Sequence, residues 1–207
     1  MIDGVLVCPS STEKSGWKVH FEYTSDLGKT WTKTGPLNDG KNTTAIQPSI
    51  LQYPDGRLQV LCRSKERTLN ESWSADRGRT WSTMKASPLP NTNSGTDAVT
   101  LADRRQMLVY NHVKPAPNLP NGKGPRTPLN VAVSDDGVIW KSVLVLEDSP
   151  VSQYSYPAII QSKDGMVHIV YTWRREKIKY VKVDPSKLTG TIITDGQWPA
   201  KPDEIIH

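Results

Sequence analysis

The sequence contains a short motif that recurs, TSDLGKTW at residues 24–31 and SADRGRTW at residues 74–81. Both copies follow one template, with a hydroxyl residue, an aspartate two positions later, a glycine two positions after that, and then Thr-Trp. A third stretch, VSDDGVIW at residues 133–140, is aligned with the template on Asp135. In this alignment it keeps the aspartate, the glycine and the tryptophan but loses both hydroxyl residues. The aspartates of successive copies are 50 and 59 residues apart, and such spacings are typical of the blades of a β-propeller.

Each residue type in the template suits a tight turn. The aspartate accepts hydrogen bonds from backbone N–H groups of its own turn, the glycine allows a positive φ, and the tryptophan packs on the sheet as a large apolar cap. We therefore predict structural turns, which account for three of the seven tryptophans. A calcium-binding loop is the weaker interpretation, because the carboxylates are too sparse to surround a hard cation.

The sequence around these turns favours short β-strands. Sixteen prolines and fourteen glycines interrupt the windows in which a helix would form. Alternating apolar residues such as Leu58, Val60 and Cys62 are bounded by turn sequences such as Pro54-Asp55-Gly56. The predicted strands are Trp17–Thr24, Ile46–Gln52, Leu58–Arg63, Asn70–Ser74, Asp97–Leu101, Met107–Asn111, Asn130–Ser134, Ser155–Ile160, Met166–Thr172 and Lys177–Val183. The predicted fold is all-β and antiparallel.

Composition narrows the classes of function. The 207 residues include 26 Lys+Arg and 21 Asp+Glu, giving a net charge of +5, and the mean hydropathy is −0.53. No apolar run approaches the roughly 18–20 residues of a membrane span, and no basic block or nucleic-acid-binding module is present. Asp3 stands where a signal peptide would have basic residues, so no signal peptide is predicted and the compartment is left open. We expect no membrane or nucleic-acid partner, and the mild positive charge favours acidic small molecules.

The two cysteines do not indicate a metal or redox site. Cys8 and Cys62 cannot form a disulfide framework, and they lack the paired spacing of a zinc site. We expect both to be small packing residues. No metal and no cofactor is predicted.

The repeats and several further runs resemble the sialidase (neuraminidase) superfamily, whose Asp-box or BNR repeats follow this template and whose domains fold as six-bladed β-propellers. The resemblance covers residues 1–190 and includes the runs IQPSILQ (46–52), LPNTNSGTDAV (89–99), RTPLNVAVSDDG (126–137) and SYPAIIQ (155–161). It implies about four blades, with residues 191–207 as a closing segment or tail. The sequence begins inside what resembles a blade, so we expect a partial propeller that a second chain or further blades would close.

The resemblance also implies a set of site residues. Sialidases of this superfamily hold the substrate carboxylate with three arginines, whose planar fork suits a carboxylate, and they use a tyrosine nucleophile assisted by a glutamate, with an aspartate as acid/base. By resemblance, Arg63 and Arg126 are two of the arginines, Tyr154 is the nucleophile, and Tyr156 is the neighbouring candidate. Gln47 stands where the family has its glutamate. The first arginine and the acid/base aspartate belong to blades outside this sequence.

Other polar residues are weaker candidates. Asp97, after an Asn-Ser-Gly turn, is the best carboxylate in the chain for proton transfer, and His112 is a candidate base or hydrogen-bond donor, although a lone loop histidine is more often structural. Arg174 closes a strand together with Trp173 and Arg175 at a plausible mouth of the site, where packing of Trp173 competes with sugar stacking. The weakest candidates, all in strand patterns, are His20, Glu22 and His168.

Three functions are consistent with these residues. The leading hypothesis is a sialidase-like protein that binds a terminal acidic sugar and hydrolyses its glycosidic bond with retention. The second is a polysaccharide lyase, in which Arg126 neutralises a uronate carboxylate while His112 or a tyrosine removes the α-proton, and Gln47 in place of a glutamate favours it. The third is a non-catalytic carbohydrate-binding propeller, in which Arg63 and Arg126 are binding or inter-blade residues and Tyr154 packs.

Overall fold

A computed structural model describes residues 2–199 of the chain, and nearly all of its regular structure is β. Its strands form four antiparallel sheets. Two short 3-10 helices, Pro120–Gly122 and Pro185–Lys187, complete the regular structure of this part of the chain, and neither is long or apolar enough to cross a membrane. The prediction of an all-β fold with about four blades is confirmed.

We name the sheets A to D in chain order. Sheet A contains β1 (Leu6–Thr12), β2 (Lys18–Thr24) and β3 (Thr32–Lys33). Sheet B contains β4 (Ile46–Gln52), β5 (Leu58–Arg63), β6 (Thr68–Ser74) and β7 (Lys85–Pro90). Sheet C contains β8 (Asp97–Thr100), β9 (Gln106–Tyr110), β10 (Leu129–Ser134), β11 (Trp140–Glu147) and, on its outer edge, β15 (Thr191–Ile192). Sheet D contains β12 (Tyr154–Gln161), β13 (Val167–Trp173) and β14 (Lys177–Val183).

Three strands form the inner side of the molecule. Strands β4, β8 and β12 each lie at one edge of their sheet, and β8 contacts both of the others. We call these three the inner strands. Because consecutive strands of each sheet are antiparallel, the first and third strands of a sheet run in the same direction. The start of each inner strand therefore lies at the same end of the molecule as the end of the strand paired with it, which is β5, β9 or β13. The Asp-box turns of sheets B and C follow the third strands and lie at the opposite end.

The hydrophobic core lies between neighbouring sheets, as the face-to-face packing of propeller blades requires. Buried residues form one cluster at each of the three junctions between sheets. Representative pairs are Phe21 and Val60 between sheets A and B, Leu61 and Leu108 between sheets B and C, and Val131 and Ile169 between sheets C and D. Cys62 is buried in the first of these clusters, in agreement with a packing role.

The two full copies of the repeated motif form closely similar turns. The Asp26 carboxylate accepts hydrogen bonds from the Thr30 hydroxyl at 2.6 Å and from the Thr30 N–H at 2.9 Å. The Trp31 indole N–H donates to the Gly28 carbonyl at 3.1 Å, and Gly28 has the expected positive φ, 92°. The turn around Asp76 repeats the three hydrogen bonds at 2.6, 2.8 and 3.1 Å. The predicted structural role of these turns is confirmed.

The third copy is one residue shorter, and the structure corrects its alignment on Asp135. The Ser134 hydroxyl lies 3.1 Å from the Asp136 carboxylate and accepts the Gly137 N–H at 2.8 Å, as the first residue of the other copies does. Asp136 also accepts two backbone N–H groups of the turn, both at 2.8 Å. Asp135 instead forms a surface ion pair with Lys141 at 2.8 Å. The prediction that this copy loses both hydroxyl residues is therefore wrong at its first position.

Sheet A differs from the other sheets in how its turn connects strands. In sheets B and C the turn joins the third strand to the fourth, β6 to β7 and β10 to β11. In sheet A it joins β2 to β3, so β2 corresponds to β6 and β1 to β5. In space, however, β1 lies at the edge of sheet A and contacts the inner strand β4, as β8 does from sheet C. At the other end of the chain, residues 200–207 of the predicted closing segment lie outside the described residues.

Candidate functional site

A β-bulge near the start of two inner strands determines where the site residues point. The pairing of β4 with β5 shifts between Ile46 and Ser49, and the pairing of β12 with β13 shifts between Ser155 and Ala158. Within the two bulges, Gln47 and Tyr156 have φ values of 55° and 51°, in the left-handed region. A bulge redirects a side chain out of the regular alternation of a strand. Both Gln47 and Tyr156 are exposed, at the same end of their inner strands.

Arg63, the last residue of β5, lies beside the first bulge. Its Nε–H donates to the Asn93 side-chain oxygen at 2.8 Å, and its Nη1 donates to the Gln47 side-chain oxygen at 3.3 Å. Its guanidinium carbon is 5.2 Å from the centre of the Trp17 ring, a cation–π distance. Burial lowers the pKa of Arg63, but a guanidinium stays charged at neutral pH. Three contacts thus hold a buried positive charge in one orientation.

Arg126 approaches the second bulge from the segment that leads into β10. Its guanidinium carbon is 5.2 Å from the centre of the Tyr156 ring. Its backbone carbonyl accepts the Tyr154 N–H at 2.9 Å, which ties this segment to the start of β12. One guanidinium nitrogen, Nη1, is buried and has no hydrogen-bond partner among the described residues. Buried donors are normally paired, so this nitrogen is suited to an acceptor from a ligand or from water.

Tyr156 brings the two arginines together. Hydrogen bonding by Arg126 lowers the pKa of Tyr156, partial burial opposes this, and Arg63 lowers the pKa further. A Cβ atom on Gly95 would lie 3.0 Å from the Tyr156 ring and 3.3 Å from the Gln47 side-chain oxygen, so a side chain at this position would crowd both residues where they approach. We call Gln47, Arg63, Arg126 and Tyr156 the arginine–tyrosine cluster.

Tyr154 lies outside this cluster. It is fully buried among the residues that pack sheet C against sheet D, and its hydroxyl lies 3.4 Å from Arg174 Nε. A nucleophile must be reached by its substrate, and a fully buried phenol is not. This arrangement favours Tyr156 over Tyr154 as the candidate nucleophile, because the ring of Tyr156 lies against Arg126.

Asp97 and His112 have contacts that do not suit proton transfer to a substrate. The Asp97 carboxylate accepts hydrogen bonds on both oxygens, from Ser49, Ala98 and Ile159. His112 is buried, its Nε2 donates to the Gly196 carbonyl at 2.9 Å, and its Nδ1 therefore accepts from the Tyr110 hydroxyl at 2.5 Å. Burial lowers the pKa of His112 to about 4, so the ring is neutral. Both side chains are thus engaged by contacts within the protein, and their catalytic roles stay predictions.

The remaining candidates make other contacts, although Arg174 lies at the same end of the molecule as the arginine–tyrosine cluster, where its N–H donates to the Gln153 carbonyl at 2.7 Å. The guanidinium carbon of Arg174 and the Nζ of Lys177 each lie 4.4 Å from the centre of the Trp173 ring. Two cations thus contact the indole that was the candidate for stacking on a sugar. His20 contacts Glu22 at 3.2 Å, and His168 lies 2.7 Å from both the Ser162 and Tyr180 hydroxyls. Among residues 2–199, no group of three or more His, Cys, Asp or Glu side chains is placed to hold a metal ion.

Sequence reasoning missed three residues that shape the cluster. Trp17 stacks on Arg63, Asn93 accepts its Nε–H, and Gly95 leaves room for Tyr156 and Gln47. Asn93 also donates to the Asn121 carbonyl at 2.7 Å, which anchors it. One signal was available in the sequence, because Trp17 is among the tryptophans that the repeated turns leave unexplained.

Comparison with known proteins identifies similar families and folds. Residues 1–169 match the family model of the BNR repeat-like domain. The anhydrosialidase of Macrobdella decora is 28% identical over 206 residues, which cover 86% of this chain and 26% of that protein. The chain thus spans about a quarter of the length of this curated relative.

Solved structures show the same fold. The NanB sialidase of Streptococcus pneumoniae superposes with a TM-score of 0.69 at 18% identity, covering 91% of this chain and 30% of that one. The leech intramolecular trans-sialidase gives 0.66 at 21% identity, covering 89% and 30%, and the intramolecular trans-sialidase of Ruminococcus gnavus gives 0.63 at 22%, covering 89% and 41%. At these identities the likeness establishes the sialidase β-propeller fold.

Proposed function

Because the chain belongs to the family of BNR repeat-like domains, we propose that it is a glycan-active protein of the sialidase type, which binds the carboxylate of a terminal acidic sugar. The observation that carries the proposal is that Arg126 lies 5.2 Å from the centre of the Tyr156 ring, while Arg63, from another sheet, donates to the Gln47 oxygen that approaches Gly95 together with that ring. The names of the relatives, an anhydrosialidase and trans-sialidases, support sialic acid as the first sugar to test.

The two arginines would hold the sugar carboxylate. A guanidinium group presents parallel N–H donors to a carboxylate, and charge-assisted hydrogen bonds of this kind are stronger than neutral ones. Arg126 has a buried Nη1 without a hydrogen-bond partner within residues 2–199, and Arg63 is already oriented by Asn93, Gln47 and Trp17. Little side-chain freedom is then lost when an anion binds, which favours affinity.

Tyr156 is the nucleophile in this proposal. Its phenolate oxygen attacks the anomeric carbon, the glycosidic C–O bond breaks, and the departing oxygen takes a proton from water. Water then displaces the tyrosine oxygen from the same carbon, so that two inversions give net retention. The adjacent guanidinium groups lower the pKa of Tyr156, which raises the fraction of phenolate at a given pH. Gln47 orients Arg63 and, as a neutral amide, does not accept the phenol proton.

Two tyrosine variants test the nucleophile. Tyr156→Phe and Tyr154→Phe each remove one hydroxyl from the same strand, and a fluorogenic sialoside reports turnover. We expect Tyr156→Phe to lower the rate by at least about a hundredfold and Tyr154→Phe to leave it within a few-fold of the wild type. Equal rates for Tyr156→Phe and the wild type, or a larger loss for Tyr154→Phe, would remove Tyr156 from the mechanism.

Calorimetry with N-acetylneuraminic acid tests the binding step separately. Arg126→Ala is expected to weaken affinity by about tenfold or more, because a charge-assisted contact is lost. Arg77→Ala is the matched control, since it also removes one positive charge but lies in an exposed pair with Asp3. Equal affinities for Arg126→Ala and Arg77→Ala would contradict the proposed clamp. Binding without turnover would leave a carbohydrate-binding function in place of hydrolysis.

A polysaccharide lyase is the second candidate, and one observation favours it. Gln47 provides no carboxylate to assist a nucleophilic tyrosine, whereas Arg126 and Arg63 lower the pKa of Tyr156 and so favour its phenolate, which is a base. In β-elimination that phenolate would take the α-proton of a uronate whose carboxylate is neutralised by the arginines. The C=C bond forms as the C–O bond to the glycosidic oxygen at the β-carbon breaks, and that oxygen takes a proton from water. The reaction is detected by the ultraviolet absorbance of an unsaturated uronate. Its absence across a panel of uronate-containing polysaccharides would exclude this alternative.

A further inference from the structure

The Asp97 carboxylate connects all three inner strands. Asp97 is the first residue of β8. Its Oδ1 accepts the Ser49 hydroxyl of β4 at 2.8 Å and the Ala98 N–H at 2.9 Å, and its Oδ2 accepts the Ile159 N–H of β12 at 3.0 Å. One side chain therefore joins sheets B, C and D on the inner side of the molecule.

These contacts are made directly after the two bulges. Ser49 is the residue at which β4 returns to regular pairing after the bulge that contains Gln47. Ile159 follows Ala158, at which β12 returns to regular pairing after the bulge that contains Tyr156. Left-handed backbone conformations at residues other than glycine persist only when surrounding contacts fix them. Hydrogen bonds to an ionised carboxylate are strong enough to provide such contacts.

The inner strands are also joined at their other ends, by uncharged groups. The Gln52 N–H donates to the Thr100 hydroxyl at 2.9 Å, between β4 and β8. The Ala102 N–H donates to the Gln161 side-chain oxygen at 2.7 Å, between the segment after β8 and β12. Hydrogen bonds therefore join β8 to its neighbours at both of its ends, close to the bulges at one end and far from them at the other. Variants at the two ends can be compared to separate an effect on the bulges from a general effect on stability.

We propose that Asp97 is a positioning residue, which holds the bulges of β4 and β12 so that Gln47 and Tyr156 point at Arg63 and Arg126. This inference rests on the proposed function for its consequence, since the geometry that Asp97 maintains is that of the anion site. It replaces the acid/base role predicted for Asp97. The residue acts through Gln47 and Tyr156 and does not contact substrate.

Asp97→Asn is the direct test, because it keeps the size of the side chain and changes one acceptor into a donor. If the amide oxygen accepts from Ala98, the amide nitrogen faces the Ile159 N–H, and if the amide is flipped, it faces the Ala98 N–H. Either way one backbone donor loses its acceptor. We expect the ultraviolet titration of Tyr156, isolated as the difference from Tyr156→Phe, to move to higher pH. We also expect affinity for N-acetylneuraminic acid to fall by about tenfold.

Thr100→Val is the matched control, because it removes an acceptor between β4 and β8 at the far end of the same strands. It is expected to lower the melting temperature without moving the Tyr156 titration or the affinity. If Asp97→Asn does not fold, Ser49→Ala removes only the β4 contact and is expected to weaken affinity by a few-fold. Unchanged titration and affinity in a folded Asp97→Asn or Ser49→Ala protein, or equal changes in Thr100→Val, would overturn the inference.

The two readouts separate this inference from the proposed function. The titration of Tyr156 requires no ligand, so it decides the role of Asp97 even if the wild type binds no acidic sugar. If Arg126→Ala abolishes binding while Asp97→Asn changes neither readout, the anion site stands and the positioning role of Asp97 fails.

Discussion

Tyr156 is the residue whose ionisation reports most directly on the two arginines. Arg126 and then Arg63 lower its pKa, because a phenolate is stabilised by neighbouring positive charge. Burial raises the pKa of four other tyrosines, Tyr23, Tyr53, Tyr110 and Tyr171. In an alkaline titration Tyr156 is therefore expected to ionise before these four, and Tyr156→Phe should remove the early rise in phenolate absorbance. An unchanged early rise would contradict the placement of Tyr156 between the arginines.

Gln47→Glu adds a negative charge at the point where the amide now contacts Arg63. The new carboxylate would pair with Arg63 and compete with a bound anion, so affinity for N-acetylneuraminic acid is expected to fall by about tenfold. The same charge would raise the pKa of Tyr156, which the ultraviolet titration measures. Gln52→Glu is the control, because Gln52 is an exposed residue at the opposite end of β4. Equal effects of the two changes would mean that net charge, and not the clamp, governs binding.

The resemblance named Arg63, Arg126 and Tyr154, whereas the structure places the ring of Tyr156 next to Arg126. Arg63 and Arg126 follow from a resemblance between runs of sequence, and neither lies inside a bulge. Strict alternation along a strand would put Tyr154 and Tyr156 on the same face, and the bulge between Ser155 and Ala158 separates them. Spacing alone cannot reveal such a change of direction. The similar Gln-Pro and Tyr-Pro pairs at the starts of β4 and β12 are a signal in the sequence that would have indicated it.

Among the repeated elements, the three tryptophan caps are chemically alike but differ in burial. Each indole N–H donates to a glycine carbonyl at 3.1 Å. Trp140 is 2% exposed, Trp81 stacks on Phe21 with ring centres 4.3 Å apart, and Trp31 is 49% exposed. Urea denaturation should show that Trp140→Ala lowers the free energy of unfolding by about 3–5 kcal/mol and Trp31→Ala by about 1 kcal/mol or less. Similar losses for both variants would mean that the hydrogen bond, and not burial, determines the contribution of the cap.

The Asp-box turn also has a predictable response to acid. Hydrogen bonds from the Thr80 side chain and N–H lower the pKa of Asp76 from 3.8 to about 2. Because the folded-state pKa is the lower one, ionised Asp76 stabilises the fold above pH 3.8, and this contribution is lost as the pH falls through about 2. Asp76→Asn should therefore be less stable than the wild type at neutral pH, with the difference narrowing in that acid range. Asp135→Asn, which changes a surface carboxylate outside the turn, is the control for net charge.

Two of the strands missed from the sequence have an identifiable cause. Every predicted strand coincides with an observed one, but β1, β3, β7, β11 and β15 were not predicted. Pro9 lies in β1, and Pro88 and Pro90 lie in β7, and proline within a run argues against a strand because it donates no ladder hydrogen bond. Both strands are at an edge of their sheet, where a missing donor costs little. The third repeat was misaligned for a different reason, since a deletion of one residue moved the relevant carboxylate from Asp135 to Asp136.

At the scale of the whole molecule, sheet D has one face packed on sheet C and an opposite face that carries exposed apolar residues. One face of sheet D packs on sheet C through residues such as Ile169 and Tyr171. The register of β12, β13 and β14 places Val170 beside Ala158 and Tyr180, and Thr172 beside Ile178, on the opposite face. Exposed large apolar residues on that side are Ile160, Val170, Ile178 and Tyr180. In a closed propeller both faces of a blade are covered, so this surface is the one on which a further blade would pack.

We expect the 207-residue chain by itself to self-associate through this face, because contiguous exposed apolar patches on soluble proteins usually mark interfaces. Ile178 is the most exposed of its four large apolar residues, at 68%. Sedimentation velocity over a range of concentrations should show association of the wild type and a shift towards monomer in Ile178→Lys, since a charge in the patch must be desolvated on contact. Ile192→Lys is the matched control, because Ile192 is 54% exposed but lies on the outer edge of sheet C. A monomeric wild type, or equal effects of the two lysine variants, would show that the exposed face of sheet D does not drive association.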